Sequence, residues 1–247
     1  MVSRHANVSE RELEPPSLAV STVIFALRRD PETGRSELWL PLVRRTRQPY
    51  RGLWALPGGP LRAGESLQDA AGRNLAETTG LAPRYLEQLY AFGGPERSPS
   101  PRVVSIVYWA LVQPDEAALA REGDNVRWFR ADRVGELAFD HNSIVEYALW
   151  RLRNKTEYGP AAYAFLGETF TLAQLRGVYE AVLGRELDPA NFRRQLRATP
   201  QISATDQYLE GGRHRPPRLY RYTPDADPDP GPGPRPAHPA TPQRSTP

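Results

Sequence analysis

The sequence predicts an α+β fold in two parts: a mixed sheet carrying helices, then a small helical unit that ends in a hairpin. Three observations carry this. Between residues 18 and 129, β-branched and apolar runs alternate with turn residues. A helix-period stretch interrupts them at 66–79. After residue 141 further helix-period stretches follow one another, and only then do two more strand-like runs appear.

In chain order, "LAVSTVIFAL" (18–27) reads as a strand, "DPETGRS" as a turn and "ELWLPLV" (37–43) as a second strand. "GLWAL" (52–56) is a third, shorter run. Leu67, Ala70, Ala71 and Leu75 fall on one helical face over 66–79, with Ser66 as N-cap and Gly80 as the stop. Strands follow at 85–92, 102–112 and 125–129, with a helix over 115–122. Ile144, Val145, Ala148, Leu149 and Leu152 predict a helix over 142–154. Thr171 and Gln174 have the spacing of a capping box, Leu172, Leu175, Val178, Tyr179 and Val182 form a core face, and Gly184 closes the helix. Asp188 and Pro189 start a last helix over 189–198, with Phe192 and Leu196 pointing inward. "QISATDQYL" and "RLYRY" then read as strands around a basic loop. Helix, helix, short turn, helix, hairpin is the layout of a winged helix-turn-helix.

The chain has 247 residues and no cysteine, which excludes disulfide scaffolds and thiolate metal sites. No run approaches the roughly 20 apolar residues of a membrane span. The first residues lack the apolar core of a secretory signal, so a cytoplasmic protein is expected and no membrane partner. Residues 1–16 and the proline-dense 223–247 are expected to be disordered. Of 32 basic residues only Lys155 is lysine, so arginine abundance reflects coding bias and only its distribution is informative. Residues 1–141 carry no net charge, whereas 191–222 carry 7 basic and 2 acidic side chains.

Gly59, Glu65, Arg73, Leu75, Glu77, Gly80 and Leu81 resemble the Nudix box, G-x5-E-x7-R-E-U-x-E-E-x-G-U with U aliphatic. "LWALPGG" (53–59) and the strand order also look like Nudix, so the first part is expected to be a Nudix αβα sandwich, residues 17–141. The family's box helix presents glutamates at i, i+3 and i+4, one face of the helix. Such carboxylates hold magnesium against a diphosphate and activate water. Here those positions are Asn74, Glu77 and Thr78. With two charges gone, magnesium is expected to bind weakly if at all, and no catalytic or metal residues are assigned. Arg73 is expected to brace the box. Glu65 and Glu77 either still face a ligand or merely pair with Arg73 and hold the loop.

What remains is a pocket for a nucleotide diphosphate. Gly58 and Gly59 permit close approach of backbone to phosphate. Arg44, Arg45 and Arg51 are placed to contact phosphate. Trp54 stacks on a base or belongs to the core. The ligand-binding candidates are therefore Arg44, Arg45, Arg51, Trp54, Gly58, Gly59, Arg73 and Glu77.

On the helix 189–198, Asn191, Arg194 and Arg197 form an outward stripe flanked by Arg193. Arginine and asparagine read guanine and adenine edges in the major groove. Arg213, His214, Arg215 and Arg218 add a basic hairpin able to reach phosphate or minor groove. With Thr171 at the start of the preceding helix, these are the DNA-binding candidates. The competing reading is a solvated charged face.

A Nudix-like domain with an eroded box followed by "FTLAQLRGVYEAVLGRELDPANFRRQL" resembles the Nudix-related transcriptional regulators of NrtR type, over about residues 17–222. The resemblance implies a homodimeric repressor of NAD biosynthesis or salvage genes on palindromic operators. It implies ADP-ribose as the effector that releases DNA, with no required cofactor. The DNA-binding part is expected over 142–222, with the helix 142–154 as a linker whose angle responds to ligand. An active Nudix hydrolase of ADP-ribose or a related nucleotide with an accessory domain is the alternative, and a protein-docking adaptor a third.

Overall fold

The computed structural model describes residues 15–224 except 84, 100, 121, 159, 198 and 211–215. The expectations for residues 1–14 and 225–247, and for Arg213, His214 and Arg215, lie outside the described residues.

The first part is a mixed sheet built from β1 (Ser17–Arg29), β2 (Ser36–Arg44), β3 (Trp54–Ala55), β4 (Gly58–Pro60), β5 (Tyr85–Phe92), β6 (Val103–Val112) and β7 (Val126–Arg130). The main path runs β3-β2-β1-β6-β5, with β4 paired to β1 and β7 to β2. Among the described strand pairs only the central one is parallel, β1 and β6, with Ser17 opposite Val103 and Ala26 opposite Val112. Both strands are buried on two faces, and their side chains divide by the two-residue period. Val23, Phe25, Val107, Trp109 and Leu111 face one layer, whereas Ile24, Ala26, Ala110 and Val112 face the other.

Helix α1 (Leu67–Thr79) covers the second face through Ala70, Ala71 and Leu75. Its ends are as expected: Ser66 Oγ accepts the Asp69 N–H, and Gly80 takes the left-handed conformation with φ of 74°. Helix α2 is shorter than expected, Pro114–Ala118, capped by Gln113 with Glu116. Beyond it the apolar pattern fails, since Leu119 is exposed. The strand expected over 52–56 is only β3, and β4 was not expected; Pro57, which offers no N–H, lies between them and accepts the Thr22 N–H through its carbonyl.

The opposite face is covered by α3 (His141–Tyr158), longer than the 142–154 expected. Ile144, Val145, Ala148 and Leu152 are buried on the sheet. Each fully buried Ile, Val or Leu side chain contributes about 1.5–3 kcal/mol, and Ala148 less. The helix expected as a linker is thus also a packed layer of the sandwich. A 3₁₀ turn, Pro160–Phe165, leads to α4 (Leu172–Leu183), α5 (Pro189–Leu196) and the antiparallel pair β8 (Ile202–Tyr208) and β9 (Arg218–Tyr222). The capping box of Thr171 with Gln174, the left-handed Gly184 and the Asp188 cap are all present.

The two parts share one core. Leu175, Val178, Val182 and Phe192 belong to the same buried cluster as Leu38, Leu40, Leu42 and Trp109. Polar bonds cross as well: Gln113 Nε2 donates to Leu166 O at 2.6 Å, and Arg153 Nε to Val182 O at 3.2 Å. Turning α4 against the sheet would expose this apolar contact, so a hinge at α3 costs the buried area that holds both parts together.

Candidate ligand pocket and nucleic-acid interface

A cavity of about 350 Å³ opens where β1, β4 and β6 meet the N-terminus of α3. Gly58, Gly59 and Arg45 line it, as expected. The glycines have a local reason as well as a ligand reason. A Cβ at Gly58 would lie 2.7 Å from Val20 O and 2.8 Å from Ser21 Oγ; one at Gly59 would lie 2.8 Å from Asn74 Oδ1. Arg45 donates from Nε to Pro49 O at 2.8 Å, and its guanidinium sits 4.6 Å from the Phe139 ring centre. Burial lowers its pKa.

The other ligand candidates do not line this cavity. Arg44 donates to Gly52 O at 3.2 Å, holding the loop after β2, and Arg51 is exposed on that loop. Trp54 packs edge-on against Phe129 at 5.0 Å, which is the core reading. Arg73 is fully engaged as a brace: Nε and Nη2 bind Glu65 at 2.5 and 2.9 Å, Nη1 binds Asn74 Oδ1 at 2.9 Å and Glu77 at 3.4 Å, and Nη2 reaches Pro60 O at 3.3 Å. Arg73 holds the Glu65 carboxyl well down, to about 2. Glu77 is half exposed and touches only Arg73 and Arg62 among the described residues.

Several lining residues were missed in the sequence. Arg97, in a 3₁₀ turn (Pro95–Arg97), is buried and grips Asp140 through bonds of 3.0 and 2.8 Å. His141, the first residue of α3, is buried and accepts the Leu56 N–H at Nδ1, 3.0 Å away. Burial pushes its pKa down to about 4, so it is neutral at pH 7. Ser21 and Ser105 hydrogen-bond to each other at 3.1 Å. Phe139 has φ of 59° and the nearby Tyr50 φ of 64°, with ring centres 4.9 Å apart. Bulky side chains rarely adopt this conformation, and such strain concentrates at ligand sites. The segment "LAFDH" holds three of these residues, but no spacing rule marks it.

On the second part, α5 presents Asn191, Arg193, Arg194 and Arg197 to solvent while Phe192 is buried against Tyr179, ring centres 5.4 Å apart. The expected single stripe divides in two. Arg193 and Arg197, with Arg218 of β9, line a concavity of about 520 Å³ between α5, the start of α4 and the hairpin. Asn191 and Arg194 stand outside it, joined by a 2.9 Å bond from Arg194 Nη2 to Asn191 Oδ1. Thr171 also lines the concavity but is buried, its hydroxyl accepting the Gln174 N–H at 3.2 Å. Arg218 donates to Thr205 O at 2.7 Å.

The chain matches the family model described as the NUDIX domain over residues 18–148, and that described as the NrtR DNA-binding winged helix domain over 162–222. It is 31% identical to the ADPR responsive transcriptional repressor NtrR of Acinetobacter baylyi, over 88% of this chain and 86% of that protein. The chain belongs to the NrtR-type family of Nudix-related regulators. The crystal structure of Shewanella oneidensis NrtR complexed with a 27mer DNA matches with a TM-score of 0.70 at 32% identity, over 83% of this chain and 93% of that one. Over 44% of its length the chain is 33% identical to an ADP-ribose pyrophosphatase of Methanocaldococcus jannaschii, a match that covers 66% of that protein.

Magnesium, which a complete Nudix box would hold, does not fit the donors this NrtR-type chain presents. The Asn74 amide is spent on Arg73 and on Val20 O, 3.2 Å away. The Thr78 hydroxyl donates to Asn74 O at 2.5 Å. Glu65 is claimed by Arg73, which leaves Glu77 as the one accessible carboxylate among the glutamate positions of the box pattern. No three acidic or histidine side chains converge among the described residues.

Proposed function

We propose that this protein is a DNA-binding transcriptional repressor that senses ADP-ribose, or a related nucleotide, in its Nudix domain and releases DNA when the ligand binds. The observation that supports this best is the joining of a ligand-sized cavity and a basic winged helix through one continuous apolar core. A rigid protomer transmits ligand-induced change at the cavity without a hinge. The regulated genes are those of NAD biosynthesis or salvage, the operator is palindromic, the working form is a homodimer, and the location is cytoplasmic. A two-fold dimer supplies the second recognition helix that one winged helix lacks. We assign α3 to the sensing part, whose sheet it covers, so the boundary we propose lies in the 3₁₀ turn Pro160–Phe165 and not at the expected 141/142.

The Nudix domain acts as a receptor and not as a hydrolase, on the grounds that Asn74 and Thr78 replace box glutamates, Asn74 being buried against Val20 O and the Thr78 hydroxyl bonded to its own helix backbone. The pyrophosphatase relative favours hydrolysis as the second reading. A mobility shift with DNA upstream of an NAD-metabolism operon, with and without ADP-ribose, tests the proposal. DNA binding relieved by unconsumed ADP-ribose is expected. Absence of binding at low salt overturns it, and magnesium-dependent turnover of ADP-ribose establishes the second reading.

A further inference from the structure

Strand β6 runs from the Nudix cavity to the boundary between the two parts. Val103 and Ser105 at its start line the cavity, and Gln113 follows its last residue. At about 3.3 Å per residue the strand covers about 30 Å. Gln113 Nε2 then donates to Leu166 O at 2.6 Å, and Leu166 donates its own N–H to Tyr163 O at 3.0 Å. The end of β6 is thus bonded to the 3₁₀ turn Pro160–Phe165, whose Ala161, Ala162 and Phe165 are buried in the common core.

Tyr163 carries contacts from that turn to the winged helix. Its ring is stacked on Tyr222 of β9, centres 3.9 Å apart and planes 8° from parallel, and its centre lies 5.8 Å from that of Phe170. Phe170 is itself held to β9, donating to Tyr220 O at 2.9 Å and accepting the Tyr220 N–H at 2.8 Å. The Tyr163 hydroxyl shares a hydrogen bond with that of Tyr179 on α4. Tyr179 in turn meets Phe192 of α5, ring centres 5.4 Å apart. One side chain therefore touches both the wing strand and the helix that packs on α5. Both branches end at basic residues: Arg218 is four positions before Tyr222, and Arg193 and Arg194 follow Phe192.

Resting on the ligand-release reading above, we infer that Tyr163 and Gln113 are positioning residues for DNA recognition. Tyr163 fixes the wing and α5 relative to each other, and the Gln113 bond fixes the turn that carries Tyr163 to the sensing sheet. Neither residue lines the Nudix cavity or the basic concavity. A ring stack and a hydrogen bond are directional, unlike the apolar contacts around them, so they set an angle as well as a distance. A displacement of β6 at the cavity reaches both DNA-contacting elements through this one turn.

Calorimetric titration of the full chain with ADP-ribose, free and saturated with the duplex retained in the mobility shift, tests this. The ratio of the two dissociation constants measures the coupling between the sites. Tyr163→Leu keeps the ADP-ribose affinity of the free chain, weakens operator binding about three- to tenfold and brings the ratio toward one. Tyr163→Phe keeps the stack and most of both quantities. A purely structural role would lower the melting temperature and leave the ratio at its wild-type value; that result in Tyr163→Leu overturns the inference. Gln113→Glu keeps the side-chain length, cannot donate to Leu166 O and lowers the ratio with the stack intact. It decides the matter if thermal melting shows Tyr163→Leu to be misfolded, and a wild-type ratio there overturns the inference equally. A wild-type protein whose own ratio is one sinks the ADP-ribose reading instead, and the operator affinities of the Tyr163 variants then decide. A wild type that retains no duplex sinks both.

Discussion

Leu56 donates its backbone N–H to His141 Nδ1 at 3.0 Å, tying the exit of β3 to the first residue of α3. The bond requires an unprotonated Nδ1, and burial holds the imidazole pKa down, to about 4 against an ordinary value of 6.5. Between those values the unfolded chain binds a proton that the folded chain does not, so folding stability rises with pH across this window. The contribution is complete above pH 6.5, shrinks as pH falls toward 4 and changes no further below it. At about 1.4 kcal/mol per pH unit the loss is on the order of 3 kcal/mol. Urea unfolding at neutral and at mildly acid pH measures it, and His141→Asn should flatten this part of the profile. Glu65 contributes in a lower window: Arg73 depresses its pKa to about 2, so its share is lost only as pH falls from 4.5 toward that value.

Arg97→Met should be strongly destabilising. Arg97 is buried, and its two bonds to Asp140 bring the turn at 95–97 onto the start of α3. Removing one partner leaves a carboxylate in a poorly solvated place, which costs about 3 kcal/mol. Asp140→Asn in the same background should recover part of that loss. A double variant no more stable than Arg97→Met would show that Asp140 already finds enough water, as its partial exposure permits.

Millimolar magnesium should leave the wild-type melting temperature unchanged, because the box offers one accessible carboxylate. Thr78→Glu adds a second on the same helical face, one residue from Glu77. The double change Asn74→Glu, Thr78→Glu should gain a magnesium-dependent rise in melting temperature. It should start from lower stability, since Asn74 is buried and bonded to Val20 O. A wild type already stabilised by magnesium would contradict the receptor reading.

Local features were legible and long-range ones were not. Ser66, the apolar face of α1 and Gly80 act within one helix, so spacing alone finds them. The Thr171 and Asp188 caps are equally local. The polar wall of the cavity is assembled from residues 21, 56, 105 and 141, which meet only because β1 lies parallel to β6 and α3 packs across the sheet. Arg97 and Asp140 are 43 positions apart, and no periodicity joins them. Gly58 and Gly59 were legible as a close approach, and besides lining the cavity they admit Val20, Ser21 and Asn74 of their own chain. Arg44, Arg73 and Glu77 are engaged in bonds of their own loop and helix, and neither they nor the exposed Arg51 line the cavity. The apolar face of α3 predicted the helix, but its partners on β1, β2 and β6 lie far away in the sequence.

The division of the basic residues on α5 predicts two kinds of DNA defect. Arg193, Arg197 and Arg218 share one concavity beside the start of α4, a setting for phosphates. Alanine at any of them should weaken binding to all sequences alike and lower the slope of log affinity against log salt by about 1. Arg194 and Asn191 stand together outside that concavity, and their mutual bond fixes the guanidinium in one orientation. That pre-organisation suits a base edge. Arg194→Ala should cost about 1–3 kcal/mol on the operator and little on unrelated DNA. Fluorescence anisotropy over a salt series, with operator and scrambled duplexes, separates the two classes. Equal loss on both duplexes for Arg194→Ala would place it with the phosphate contacts. Loss of ligand affinity in the same variant would trace the defect to folding, since no α5 side chain lines the Nudix cavity.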